Sequence, residues 1–225
     1  MHWLLTRPQP ECDVLLQRMT QAGFAATAAP AIQIQPLAID HRVIMELDHF
    51  DTLIVVSKPA ARRLIDEVDM YWPQLPIDQR CIAVGPGTAQ ILSGFGFAPQ
   101  VPDQADSEGV LALCGDAKNV LLAAGEGGRE AIEQGLAGCD LTRLSLYRRA
   151  QVPLPPNLDG GVLTHIWVTS ADIADVVAGW NLELPIWVPS ERVATHARGL
   201  GLTVQRVLGS AQDAALLDVL QKEAV

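Results

Sequence analysis

Apolar positions along this chain come in blocks too short for helices. Each block is followed by a few small polar residues and then by apolar residues three and four apart. The segments built this way are "HWLLTRPQPECDVLLQRM", "DTLIVVSKPAARRLID", "RCIAVGPGTAQIL", "NVLLAAGEGGREAIEQGL", "THIWVTSADIADVV" and "LPIWVPSERVATHA". An apolar run without polar alternation predicts a strand covered on both faces, as in a parallel sheet. Spacings such as Leu15, Leu16 and Met19, or Leu216, Leu217 and Leu220, predict amphipathic helices. Strand–helix alternation of this kind implies an α/β fold with right-handed crossovers.

The pattern also repeats on a larger scale. "LIVVSKPAARRL…CIAVGPGTAQILSGFGFAPQV…DSEGVLAL" matches "IWVTSADIADVV…PIWVPSERVATHARGLGLTVQRV…AQDAALLDVL" in element order, Gly-apolar pair and closing helix. "LLTRPQPECDVLLQRMTQAGF" similarly resembles "LLAAGEGGREAIEQGLAGC". The duplication points to two similar α/β domains rather than one large sheet. Two Pro-flanked segments break the rhythm by alternating: "AAPAIQIQPL" (28–37) and "TRLSLYRRAQVPL" (142–154). They read as extended chain with edge character. If both are crossings, the middle of the chain forms one domain and its two ends combine into the other.

Composition narrows the partners. Within 225 residues the formal charge is −10, which argues against nucleic acid or an anionic membrane surface as the main partner. Only three of the sixteen cations are lysines (Lys58, Lys118 and Lys222), and Arg grips carboxylates and phosphates in a planar fork. A genome rich in G and C produces the same bias. Cys12, Cys81, Cys114 and Cys139 lie far apart in apolar surroundings, with no CxxC pair. They read as reduced thiols of a cytosolic protein, and no metal site is expected. No segment reads as a signal peptide or a membrane span. The glycine-rich "GEGGRE" and "GPGT" match neither the P-loop nor the dinucleotide fingerprint, and GxSxG is absent. No cofactor is expected.

Six turns remain, each at the carboxyl end of an expected strand: Thr6-Arg7, Ser57-Lys58, Gly85 through Thr88, Gly125 through Arg129, Thr169-Ser170, and Ser190 through Arg192. In a parallel sheet this edge binds ligands, because unpaired N–H groups and helix dipoles favour anions there. Any one of these residues is commonly no more than an N-cap. Six facing one cleft would form an anion-binding rim made largely of backbone. Tyr147, in "LYRRA" beside Arg148 and Arg149, is one of only two tyrosines. Its phenol could donate a proton in such a cleft, or its ring could simply pack between domains.

Taken in order, these segments resemble the uroporphyrinogen-III synthase family over nearly the whole chain. The resemblance is carried by "LLTRP", "DTLIVVSKPAARRL", "AVGPGTAQIL" followed by "GF", "DSEGVLAL", "LLAAGEGGRE", "LYRR", "VTSADIADVV", "PSERVATHARGLG" and "ALLDVLQ". It implies two flavodoxin-like parallel-sheet domains with a cleft between them, joined by a two-stranded linker. On this chain the domains would be 1–35 plus 153–225 and 38–148, with linker strands at 34–38 and 147–153. It implies the substrate hydroxymethylbilane, a linear tetrapyrrole bearing an acetate and a propionate on each ring. Closure of that chain to uroporphyrinogen III expels water and inverts the last ring, without metal or organic cofactor. A cytoplasmic monomer receiving its substrate from hydroxymethylbilane synthase is the expected setting. By the family's motif Tyr147 assists departure of the hydroxyl. The expected anchors are Arg7, Ser57, Gly85, Thr88, Gly127, Arg148, Ser170 and Ser190, together with Lys58, Arg129 and Arg192. A non-enzymatic two-domain anion-binding protein is the competing reading, and a flavin-carrying module a third.

Overall fold

The computed structural model describes residues 1–76, 79–104, 106–127, 130–156, 158 and 161–223. The chain divides into two compact units, Met1–Ile34 with Ala150–Val225, and Gln35–Arg149. Each is a sheet with helices on both faces.

In the first unit the strands are β1 (His2–Leu5), β2 (Ala25–Ala28), β9 (His165–Trp167), β10 (Ile186–Val188) and β11 (Val204–Val207). They lie in the order β11-β10-β9-β1-β2, every neighbouring pair parallel. Because successive side chains point to opposite faces, each short apolar run feeds two cores at once. Leu4, Ile166, Val168, Ile186 and Val188 pack with Ile173, Val177, Val193 and Ala197 of α7 (Ala171–Gly179) and α8 (Glu191–Gly199). Trp3, Leu5, Trp167 and Trp187 pack on the other face with Cys12, Leu15 and Met19 of α1 (Glu11–Gln21) and Leu216 and Leu220 of α9 (Asp213–Glu223).

The second unit contains β4 (Thr52–Val55), β5 (Arg80–Ala83), β6 (Pro99–Gln100), β7 (Asn119–Gly125) and most of β8 (Asp140–Gln151). Its sheet runs β3-β8-β7-β4-β5-β6, where β3 is Ile32–Pro36. From β8 to β6 all pairs are parallel. β3 joins β8 in the opposite sense, since Val152 N–H reaches Ala31 O at 2.9 Å and Leu37 N–H reaches Leu146 O at 3.0 Å. These two strands carry the chain from one unit to the other. Ile54, Ile82, Val120, Leu122 and Ala124 form one core with α5 (Ser107–Cys114) and α6 (Glu130–Gly135). The alternate residues Leu53, Val55, Leu121 and Ala123 are equally buried, toward α3 (Lys58–Tyr71) and α4 (Pro86–Phe95).

The pattern of apolar runs locates β1, β4, β5, β7, β9 and β10 and the helices that follow them. It does not single out β2 ("AATA") or β6 ("PQ"), edge strands with little apolar side chain. Asp40 caps the short helix α2 (His41–Met45) by accepting from Arg42 N–H. The four cysteines are free thiols. Burial pushes the Cys12 and Cys81 thiols up to about 12, so neither is a nucleophile at neutral pH.

Candidate active site

Strand order reverses once in each sheet, between β4 and β7 in the second unit and between β1 and β9 in the first. Ligands of α/β sheets bind beyond the carboxyl ends of the strands at such reversals. In the second unit this edge carries Ser57 after β4 and Gly125 at the end of β7. Tyr147 arrives from β8, and a bulge decides where it points. Register along β7 and β8 pairs Leu122 with Arg143 and Ala124 with Ser145, but Gly125 with Tyr147. Paired residues of neighbouring strands share a face, so an unbroken register would have put Tyr147 on the face of Arg143 and Ser145. The extra residue, Leu146, turns it onto the α3 face instead.

There the ring lies against Gly125. A Cβ at residue 125 would stand 2.7 Å from Tyr147 Cζ and 3.0 Å from its hydroxyl, so only glycine leaves room. Tyr147 is 3% exposed, and Glu126 N–H donates to its carbonyl at 2.7 Å. Its hydroxyl is 3.0 Å from Ser57 Oγ. Ser57 is also the N-cap of α3, accepting from Ala60 N–H at 3.3 Å. With the serine oxygen occupied as an acceptor, its hydrogen is free to point at the phenolic oxygen.

Neighbouring turns close around this pair. The aliphatic stem of Lys58 lies over Gly87, where an added Cβ would be 2.5 Å from Lys58 Cε, so the Ser57-Lys58 and Gly85–Thr88 turns touch. Gly85 is the N-cap of α4 and has no side chain to satisfy the first turn, while Thr88 is buried within that turn. Gly127 turns the chain after β7 with φ +70°. Arg148, exposed on β8, donates to Gln35 Oε1 at 2.9 Å. Arg129 lies outside the described residues.

The remaining expected anchors belong to the first unit. Arg7 is paired with Asp213 of α9, with Arg18 nearby. Ser170 and Ser190 cap α7 and α8 at 3.3 and 3.4 Å, accepting from Ile173 and Val193 N–H. Arg192 is exposed in the first turn of α8. Ser57, Gly85, Ser170 and Ser190 share one backbone shape, with φ between −151° and −160° and ψ between 157° and 165°. The duplication read in the sequence therefore extends to the dihedrals of the turns.

Two residues of this edge are not apparent from motif reasoning, Gly125 as a steric seat and Arg143. The guanidinium of Arg143 donates to Gly125 O and Gly127 O, both at 2.8 Å, and pairs with Glu133. The sequence carries no signal for Arg143, which falls with Ser145 at the polar positions alternating with Leu144 and Leu146 in "DLTRLSLY". Among the described residues no group of three or more His, Cys, Asp or Glu could hold a metal ion, and no helix is long and apolar enough to cross a membrane.

Comparison with known proteins gives a consistent result. A family model described as uroporphyrinogen-III synthase HemD matches residues 13–218. Uroporphyrinogen-III synthase of Escherichia coli (strain K12) is 28% identical, over 98% of this chain and all of that protein. The protein of the same name from Proteus mirabilis is 31% identical over 66% of this chain and 80% of its own length. Among solved structures, a mutant uroporphyrinogen III synthase of the extreme thermophile Thermus thermophilus superposes with a TM-score of 0.69 at 15% identity, over 100% of this chain and 99% of that one. The uroporphyrinogen-III synthetase of Helicobacter pylori gives 0.65 at 15% identity, covering 99% and 100%. At these identities the two structures speak for the fold.

Proposed function

The chain belongs to the uroporphyrinogen-III synthase family, enzymes of tetrapyrrole biosynthesis, and from that premise we propose that it cyclises hydroxymethylbilane with Tyr147 as the proton donor. The observation that carries the reading is the 3.0 Å contact between Tyr147 and Ser57 at the strand reversal of the second unit.

The reaction begins when the hydroxymethyl group departs as water, which requires a proton on its oxygen. Tyr147 supplies that proton while Ser57 donates to the phenolic oxygen, and the N-terminal end of α3 favours the charge that develops. The electrophilic azafulvenium left behind is attacked by the electron-rich last ring through its substituted carbon, giving a spirocyclic intermediate that rearranges to the inverted ring. The proton lost when that ring finally joins restores the phenol. Atoms balance with water as the only other product, so the step is that of a hydro-lyase.

Selecting the substituted carbon is a matter of holding the chain, because unassisted closure gives the uninverted isomer. Acetates and propionates are bound in the second unit by the turns at Lys58, Gly85, Thr88 and Gly127 and by Arg148. Arg7, Ser170, Ser190 and Arg192 of the first unit are further carboxylate anchors, as is Arg129. Backbone N–H groups at helix starts do much of this work. The enzyme acts as a cytoplasmic monomer that takes its unstable substrate from hydroxymethylbilane synthase.

Incubation of the purified protein with hydroxymethylbilane, followed by chromatographic separation of the product isomers, tests the assignment. An excess of the inverted isomer over the unassisted reaction is expected. A protein that binds the bilane yet leaves the isomer ratio at its unassisted value would be a carrier, and the assignment would be wrong.

A further inference from the structure

We propose that Arg143 is a positioning residue for Tyr147, acting through the backbone of the turn after β7. The inference rests on the role given to Tyr147 above. The peptides around Gly125 are gripped from two sides. On the α3 side they carry the Tyr147 ring, which stands where a Cβ of residue 125 would be, and Glu126 N–H holds the tyrosine's own carbonyl. On the α6 side Arg143 shares the face of Leu122 and the core beneath α6. From there one nitrogen of its guanidinium bonds both Gly125 O and Gly127 O.

The remaining donors of Arg143 are directed elsewhere. Nη1 meets Glu133 of α6, and Nε lies 3.4 Å from Ser145 Oγ. With two carbonyls, a carboxylate and a hydroxyl around it, the guanidinium is committed within the protein and is not a substrate anchor. What it fixes is the height of the Gly125–Gly127 backbone, a stretch containing a left-handed glycine at residue 127. Release of that backbone lets Gly125 rise into the ring or fall away from it, and either movement changes the 3.0 Å separation between Tyr147 and Ser57. Glu133 sets the clamp by neutralising Arg143 and tying it to α6.

Two measurements on the full chain test this. The first needs no substrate. In a Tyr71→Phe background Tyr147 is the only tyrosine, so 3-fluorotyrosine labelling gives one fluorine resonance that reports its surroundings. Arg143→Met is expected to shift and broaden that resonance, Glu133→Gln to do so less, and Arg143→Lys, which can reach one carbonyl, to fall between. The second is a double-mutant cycle with hydroxymethylbilane. Arg143→Met should lower kcat about ten-fold and change KM by less than about two-fold. In a Tyr147→Phe background the same change should cost less than about two-fold, because its target is already gone. If Arg143→Met fails to fold, judged by circular dichroism, Glu133→Gln carries both measurements.

An unmoved fluorine resonance, equal losses of kcat in the two backgrounds, or a raised KM with unchanged kcat would each overturn the proposal. A moved resonance together with a wild-type rate for Tyr147→Phe would leave the clamp standing and remove the tyrosine from the chemistry.

Discussion

The two units are built on one plan. Read outward from the reversal, β6-β5-β4-β7-β8 of the second corresponds to β11-β10-β9-β1-β2 of the first, with Ser57 falling at Ser170. Both serines cap the following helix at 3.3 Å from nearly the same dihedrals. Beyond that the edges diverge. In the second unit the outermost parallel strand, β8, runs for 12 residues, is bulged, and brings a phenol back over the edge to Ser57. Its counterpart β2 has 4 residues and ends at Ala28, followed by Ala29, Pro30 and Ala31. A shared scaffold thus gives two edges of helix-capping turns, while the phenol proposed as the proton donor is added by lengthening and kinking one strand.

Opposite edges of the two sheets show a second divergence. Thr164 accepts from His2 N–H at 2.8 Å, latching β9 to β1. At the corresponding place Asp51 accepts from Lys118 and Asn119 N–H, both at 2.9 Å, latching β4 to β7. Desolvation alone would raise the Asp51 carboxyl. The bonds from Asn119, Thr52 and Lys118, with Arg80 nearby, outweigh it and hold the group below its ordinary value of 3.8. One latch titrates and the other does not.

The contrast can be broken most sharply at residue 125. Gly125→Val drives a branched side chain into the Tyr147 ring, and we expect a rate loss on the order of 10²-fold with the fold retained, read from steady-state cyclisation and circular dichroism. Next come the paired serines. Ser57→Ala and Ser170→Ala should each cost about 1 kcal/mol in urea unfolding, as lost caps. Only Ser57→Ala should also lower kcat, by about ten-fold, the scale of a hydrogen bond to a developing charge.

Acid then separates the latches. A depressed carboxyl contributes stability above its unfolded value of 3.8, and that contribution disappears as pH falls through the lower folded value. Below about pH 4, hydrogen exchange should quicken at the start of β4 and β7 before it does at β1 and β9. Asp51→Thr, which copies the first unit, should move that onset to lower pH. The smallest effect is expected from Gly85→Ser, which supplies the missing cap of α4 where nothing lies within 4 Å of a Cβ. It should add a few tenths of a kcal/mol to stability and raise KM by narrowing the turn proposed to receive a carboxylate.

Much of the fold was legible because the central parallel strands bury both faces, leaving an unbroken apolar run followed by a small polar cap. The duplicated turns could be read for the same reason, since Ser57, Gly85, Ser170 and Ser190 each mark a strand's end and a helix's start. Tyr147 stood out by rarity and by its arginine neighbours. Its orientation did not, because a bulge of one residue, Leu146, opposite Ala124 and Gly125 leaves no trace in the hydrophobic period. Gly125 was hidden among the glycines of "GEGG", and its function is to lack a side chain beneath a ring from another strand. The pairing of Arg7 with Asp213 spans nearly the whole chain and follows only from the packing of α9 on the same face of the sheet as α1.

The central claim is that the second unit's edge supplies the proton that releases water from hydroxymethylbilane. Single-turnover cyclisation by Tyr147→Phe, with the isomers separated and the fold checked by circular dichroism, tests it most directly. The account predicts a rate at least about ten-fold below wild type, with the inverted isomer still dominant because the carboxylate anchors are untouched. A variant that closes the ring at the wild-type rate would contradict it.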